Sequence, residues 1–224
     1  MTCTIRTGSP ARALWRAELL YLPPSWIEEH AYDILESHPL GTGEHDYALL
    51  FITETLSGPL PTSFPSLSVD SREATGFTGD QVLAAAYPAE FVKGAAARND
   101  LNAATTIAPI RQMLTFSEQL VDVISLGGTV VAQSGSSGGA VLNVWGNLIG
   151  LIVTTSEGDT TAVRDLRAIT MAHVDRGLQK HLGKNLQELL EENPRMLVTN
   201  FAENNTPALS EILLRAIAQK NPGL

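Results

Sequence analysis

The chain has 224 residues, 44% of them hydrophobic and 17% charged, which is enough apolar material to bury the core of one large or two small domains. A net charge of −9 opposes association with a phosphate backbone, and no local basic stripe reverses that field, so nucleic acid is not an expected partner. Cys3 is the only cysteine, which excludes an intrachain disulfide and a cysteine-based metal site, and no apolar run is long enough to span a membrane.

In chain order, Thr4 to Thr7 and Ala13 to Leu22 read as strands at the very start, with no basic-then-apolar leader before them. "PPSWIEEHAYDILESHP" then reads as a short helix, with an extended segment ending at His38-Pro39 as the rival. Ser25 and Glu28 form a capping-box pattern, and Trp26, Ile27, His30, Ala31, Ile34 and Leu35 fall near one face. Tyr47 to Thr53 is the next strand. "SGPLPTSFPSLS", Ser57 to Ser68, has the Pro/Ser content of a linker. Beyond it, Gln81 to Tyr87, Leu120 to Ile124, Thr129 to Gln133, Ala140 to Val144 and Leu148 to Thr154 are short, rich in Val, Ile, Leu and Thr, and separated by turn signals. This is the pattern of a barrel or sandwich. From about Val174 the spacing becomes helical in "VDRGLQKHL", "NLQELLEE" and "TPALSEILLRAIAQK", the last with Thr206 as N-cap and Pro207 in the first turn. The last two, from Leu186 onward, are amphipathic and are expected to pack on the second barrel or on a partner.

The unusual stretch is "VVAQSGSSGGAVLNVWGNLIGLIV". A hairpin needs two turn residues, whereas Gly135, Ser136, Ser137, Gly138 and Gly139 make five in a row. Glycines beside a serine let successive N–H groups point at one spot next to the hydroxyl, where an oxyanion could sit.

"GSSGGAV" followed by "NLIGLIV" resembles the nucleophile region of trypsin-like serine peptidases, in which Gly-x-Ser-Gly-Gly leads into a strand pair. "HPLGTGEHDYALLFI" is similar to the family's Asp-x-Ala-Leu-Leu strand, and "GDQVLAAAYPAEF" to a stretch of the second barrel in bacterial members. The resemblance covers roughly residues 10 to 180. It implies a mostly β, double-barrel fold and peptide-bond hydrolysis through an acyl-enzyme on Ser137. It also implies an oxyanion hole from the N–H groups of Gly135 and Ser137, and Asp46 as the carboxylate that orients the catalytic imidazole. Val131 would lie at the base of the specificity pocket, and Val153, Thr154 and Thr155 would form the wall along which substrate backbone runs. The absence of an acidic residue at that base predicts a preference for small or apolar side chains. A polypeptide is the expected partner; no metal or organic cofactor is implied.

The chain departs from the family at its histidine. The family's catalytic histidine precedes the aspartate by many residues in a small-residue turn, and no histidine here matches that motif. His38 corresponds to a structural histidine of the family, His45 adjoins Asp46 and would point to the opposite face, and His30, His173 and His181 read as packing residues. Ser136 and Ala140 stand where the digestive members carry aspartate and proline. The expected organisation is therefore the remaining part of a first barrel in residues 1–63, a second barrel with the nucleophile in 64–175, and a helical extension in 176–224. The expectation is a fragment whose full-length form supplies the histidine, extracytoplasmic if that form has a leader; the alternative is an inactive pseudoenzyme or protein-binding module. Gly-x-Ser-x-Gly also fits the nucleophile elbow of α/β-hydrolases, with Asp159 or Asp165 and His173 completing the order.

Overall fold

The apolar, β-branched segments of the chain assemble into two antiparallel sheets. In the computed structural model, residues 2–36, 41–92, 100–116, 119–156 and 158–220 are described. β1 (Thr2–Thr7), β2 (Arg12–Tyr21) and β3 (Leu49–Thr55) form the smaller sheet in the order β1-β2-β3. The larger contains β4 (Gln81–Ala86), β5 (Ala104–Pro109), β6 (Gln112–Leu114), β7 (Val123–Gly127), β8 (Ala140–Leu142), β9 (Leu148–Thr155) and β10 (Leu166–Thr170), in the order β5-β4-β8-β9-β10-β7-β6.

That order closes the larger sheet on itself. A flat sheet of seven strands would hold its edges roughly 29 Å apart. The edge strands β5 and β6 are joined only by Ile110 and Arg111, a connection that can reach no more than about 11 Å. The chain changes partner between these two residues: Ile110 N–H donates to the Asp80 carbonyl on the β4 side, and Arg111 N–H to the Ser125 carbonyl of β7. The sheet therefore curls into a barrel, and Val82, Ala84 and Ala86 of β4 alternate inward to meet Ile110, Ile124, Leu126, Val141, Ile152 and Leu166.

Three barrel strands are covered on both faces. Val123 of β7, Val153 of β9 and Ile169 of β10 point away from the barrel into a second core with Tyr21, Tyr47 and Ile27, and with the C-terminal helices. This explains why β7 and β9 read as nearly unbroken apolar runs. The helices are α1 (Pro24–His30), α2 (Met171–Leu182), α3 (Leu186–Glu191), α4 (Pro194–Asn204) and α5 (Thr206–Lys220). α2 lies on β9 and β10, while α4 lies on β2 and β3 and α5 on α1 and α4. The helices from Leu186 onward are expected on the second barrel or on a partner; α4 packs instead on the three-stranded sheet, and α5 on α1 and α4.

Several local expectations are corrected. α1 begins at Pro24 with Pro23 as N-cap and no side-chain cap, so the Ser25–Glu28 capping box does not form; a proline at the first helical position starts the helix earlier. The capping box of this chain is instead at Asn185 and Glu188 of α3. Thr206 is the first helical residue of α5, with Asn205 accepting from the Leu209 N–H before it. Thr129 to Gln133 is not a strand: Ala132 N–H returns to Thr129 and Gln133 N–H to Val131, although Val131 and Ala132 are buried. β3 and β7 start two and three residues later than expected, and β8 ends at Leu142. Ser57 to Ser68 is exposed and free of helix and strand, as expected of a connector. His38 lies outside the described residues.

Gly177 shows how closely α2 approaches the first sheet, because a Cβ there would lie 2.6 Å from the hydroxyl of the buried Tyr47. Overpacking of this kind costs about 1–3 kcal/mol, against about 1 kcal/mol gained from better helix propensity. Gly177→Ala is expected to be destabilising on balance, by about 1 kcal/mol. Urea midpoints of the two proteins check this, and an unchanged or higher midpoint would show that Tyr47 can move aside.

Candidate active site

The five-residue Gly/Ser segment leads from the buried turn at Val131 and Ala132 into β8, and its hydrogen bonds alternate. Ser136 N–H donates to the Gln133 carbonyl at 3.2 Å, Gly138 N–H to Ile152 at 2.7 Å, and Gly139 N–H to Ser136 at 3.0 Å. Among the described residues, the N–H groups of Gly135 and Ser137 have no hydrogen-bond partner, and both residues are exposed while Ser136 is buried between them. Two free N–H groups flanking a bonded one, beside an exposed serine, form a donor pair available to an anion.

The glycines are required locally. Gly135 has φ +94°, and a Cβ on it would lie 2.8 Å from the Ala89 Cβ and 3.0 Å from the Ala89 nitrogen. Gly139 approaches β4 so closely that a Cβ would lie 2.7 Å from the Ala85 carbonyl oxygen. The Ser137 hydroxyl donates to the Val153 carbonyl at 3.4 Å, a long bond that leaves the oxygen free to exchange partners.

The β9 backbone connects this loop to the Asp46 turn. Gly43, at φ +82°, packs so that a Cβ would lie 2.8 Å from Val153 Cγ2. The turn is closed by Asp46 N–H donating to Gly43 and Tyr47 N–H donating to His45. Asp46 itself is exposed, and no hydrogen bond reaches its carboxylate among the described residues. Protein crowded around it pushes the carboxyl upward, and the nearby charge of His30 opposes this. The exposure of Asp46 screens both effects.

Each described histidine has partners elsewhere. His30 Nδ1 lies 2.9 Å from the Asp33 carboxylate and its ring 5.9 Å from that of Trp26, so its packing role stands, although its charge is also felt at Asp46. The rings of His45 and His181 meet edge to face at 6.2 Å, and burial, then Lys180 and His45, hold His181 below the ordinary histidine range. His173 Nδ1 meets Asp122 at 2.9 Å and its Nε2 meets the Glu44 carbonyl at 2.6 Å. Ser137 has no imidazole partner among the described residues.

These partners also exclude the hydrolase elbow. Ser137 is followed by β8 and not by a helix; Asp165 bonds Ser125, the Gly127 N–H and Arg167; and His173 is committed to Asp122.

Of the residues expected to shape the pocket, Val131 is fully buried in the barrel core. Val153 directs its side chain into the second core, so only its backbone faces Ser137. The Thr154 and Thr155 side chains lie outside the described residues. A tie not foreseen from sequence braces this region. Arg164 makes a two-pronged contact with Glu90 and donates to the carbonyls of Ala132 and Gly158, while Glu90 accepts the Ser134 N–H. One ion pair thus links the loops after β4 and β9 to the segment before the glycines.

No protein-family model matches the sequence, and no curated protein matches it either. Among solved structures, it is similar to Rv3671c from M. tuberculosis H37Rv, a serine-to-alanine mutant in an inactive form, with a TM-score of 0.41 and 19% identity over 61% of this chain. It is also similar to the MamO protease domain from Magnetospirillum magneticum in its apo form, with a TM-score of 0.42 and 16% identity over 80% of this chain. The chain spans 59% of the first structure and 75% of the second. Likenesses at this level leave the functional reading to the geometry of the site.

Proposed function

We propose that this chain belongs to a trypsin-like, double-β-barrel serine endopeptidase, with residues 1–63 contributing to the first barrel, 64–175 forming the second and 176–224 extending it as helices. The observation that carries the reading is the pair of unbonded N–H groups on Gly135 and Ser137 beside the exposed Ser137 hydroxyl. In this reading Ser137 Oγ attacks a peptide carbonyl carbon while an imidazole takes its proton. The carbonyl oxygen becomes an oxyanion held by the two N–H groups. The C–N bond then breaks, the amine leaves with the proton from the imidazole, and water hydrolyses the acyl-serine.

Asp46 is the carboxylate that orients the imidazole, and the imidazole comes from outside the described residues. Among the described residues no hydrogen bond engages the Asp46 carboxylate, which leaves it available for this role. Substrate backbone runs along Val153 to Thr155, above a base at Val131 that carries no charge and suits small or apolar side chains. The polypeptide substrate, the lack of a cofactor requirement and an extracytoplasmic site for a leader-bearing form complete the proposal.

The second reading is an inactive, polypeptide-binding protein of the same fold, favoured by the bond from Ser137 to Val153 and by the lack of an imidazole at Ser137 among the described residues. A fluorophosphonate probe separates the two. Labelling at Ser137, located by peptide mass analysis, lost in Ser137→Ala and accelerated by added imidazole, is the expected result. No labelling above that of a denatured control, with or without imidazole, would favour the binding protein.

A further inference from the structure

His173 is a half-buried titratable group that the proposed chemistry leaves unused, and both of its ring nitrogens have close partners. Its Nε2 lies 2.6 Å from the Glu44 carbonyl oxygen, which can only accept, so Nε2 carries a proton. Its Nδ1 lies 2.9 Å from Asp122 Oδ1. That carboxylate also accepts from Arg176 on the same oxygen, and from the Thr115 hydroxyl and the Phe116 N–H on the other. Burial opposes ionisation of Asp122, but the Phe116 N–H, His173 and Arg176 outweigh it and hold the carboxyl below its ordinary value. An ionised Asp122 only accepts, so Nδ1 carries a proton as well.

The Phe116 ring stands edge to face with the imidazole at 5.2 Å, and Thr170 accepts the His173 backbone N–H as the N-cap of α2. Glu73 pairs with Arg176 and balances the second positive charge at Asp122.

We infer that His173 is a positioning residue: an imidazolium clamp, anchored by Asp122, that grips the Glu44 carbonyl and fixes the turn carrying Asp46 against β9. The clamp joins three segments distant in sequence, with Glu44 lying 129 residues and Asp122 lying 51 residues from His173. Gly43 provides the opposing surface on Val153, whose carbonyl accepts from Ser137, so the clamp sets the Asp46 turn relative to the serine. The catalytic importance of the clamp rests on the peptidase reading; its existence does not.

Two measurements on the full chain test it. Long-range proton–nitrogen NMR of the His173 ring at pH 7 is expected to show protons on both nitrogens. A proton on only one would overturn the imidazolium. Amide exchange then reads the grip: in His173→Leu, exchange at Asp46 and Tyr47 is expected to accelerate at least tenfold while amides of β9 and β10 keep their rates, and His173→Gln, which retains one donor for Glu44, is expected to restore most of the protection. Unchanged exchange at Asp46 and Tyr47 in a folded His173→Leu would overturn the clamp. If that variant does not fold, the ring-nitrogen measurement on the unaltered chain still decides. Neither readout depends on Ser137 reactivity, so failure of the clamp and failure of the peptidase reading remain distinguishable.

Discussion

Asp122→Ala is expected to destabilise the fold by about 3–5 kcal/mol, the cost of leaving buried charge uncompensated when one partner of a buried pair is removed. Asp122 is 5% exposed and is the common acceptor for His173, Arg176, Thr115 and the Phe116 N–H. Alanine removes this shared acceptor from four donors, one of them the Arg176 guanidinium. Asp122→Asn is expected to be less damaging in size but to fail at the same point. Its amide can offer only one oxygen, so donors on one side of the group meet an N–H₂ that cannot accept.

The carboxyl of Asp122 also sets an acid limit. Because its folded value lies below the unfolded one, the stabilisation is complete above about pH 4, the usual aspartate range. It is lost as pH falls through the folded value, where the native state must take up the proton. The acid limb of the stability curve should therefore flatten in Asp122→Asn. Urea midpoints between pH 2 and 7 measure both effects, and an Asp122→Ala midpoint within experimental error of the parent would show that the cluster contributes nothing net.

What could be read from the sequence was what depends on neighbours in the chain. The Gly/Ser segment stood out because Gly135 and Gly139 answer to local demands, a positive φ in one case and a carbonyl too close to admit a Cβ in the other. The helix of "VDRGLQKHL" was legible from spacing, and α2 adds only its first turn. β5 escaped because its pattern is inverted: Ile107 is exposed at 71% while Ala104, Thr106 and Ala108 face inward, so the largest apolar residue marks the wrong face. Thr129 to Gln133 misled for the complementary reason, since Val131 and Ala132 are buried on turns closed by their own carbonyls. Burial sets the apolar pattern, and a turn that enters a core looks like a strand.

His173 belongs to a different class. Its packing at the β10–α2 junction could be guessed, but its partners Asp122 and Glu44 come from loops that only the folded chain brings together. The same holds for Arg164 and Glu90, 74 residues apart. Charged side chains whose partners are remote leave no periodic trace, so the sequence drew attention to the Gly/Ser segment and missed the side chains that hold the loops in place.

Gly135→Ala is expected to slow fluorophosphonate acylation of Ser137 by about 10²–10³-fold, the effect of removing one oxyanion donor. Alanine at φ +94° adds backbone strain of about 1–2 kcal/mol. Its Cβ also meets Ala89, which is tied to the loop by its own N–H to the Ser134 carbonyl. Relief of this contact requires the backbone at 134–135 to move, and on the proposed reading that displaces the Gly135 N–H from the oxyanion. Gly138→Ala is the control. Its φ of +80° imposes similar strain, but nothing lies within 4 Å of the new Cβ, and its N–H is already committed to Ile152. It should lose stability without a comparable loss of acylation rate. A large acylation defect confined to Gly135→Ala places the oxyanion at that N–H, whereas equal defects in the two variants would reduce the Gly/Ser segment to a loop whose glycines serve only its folding.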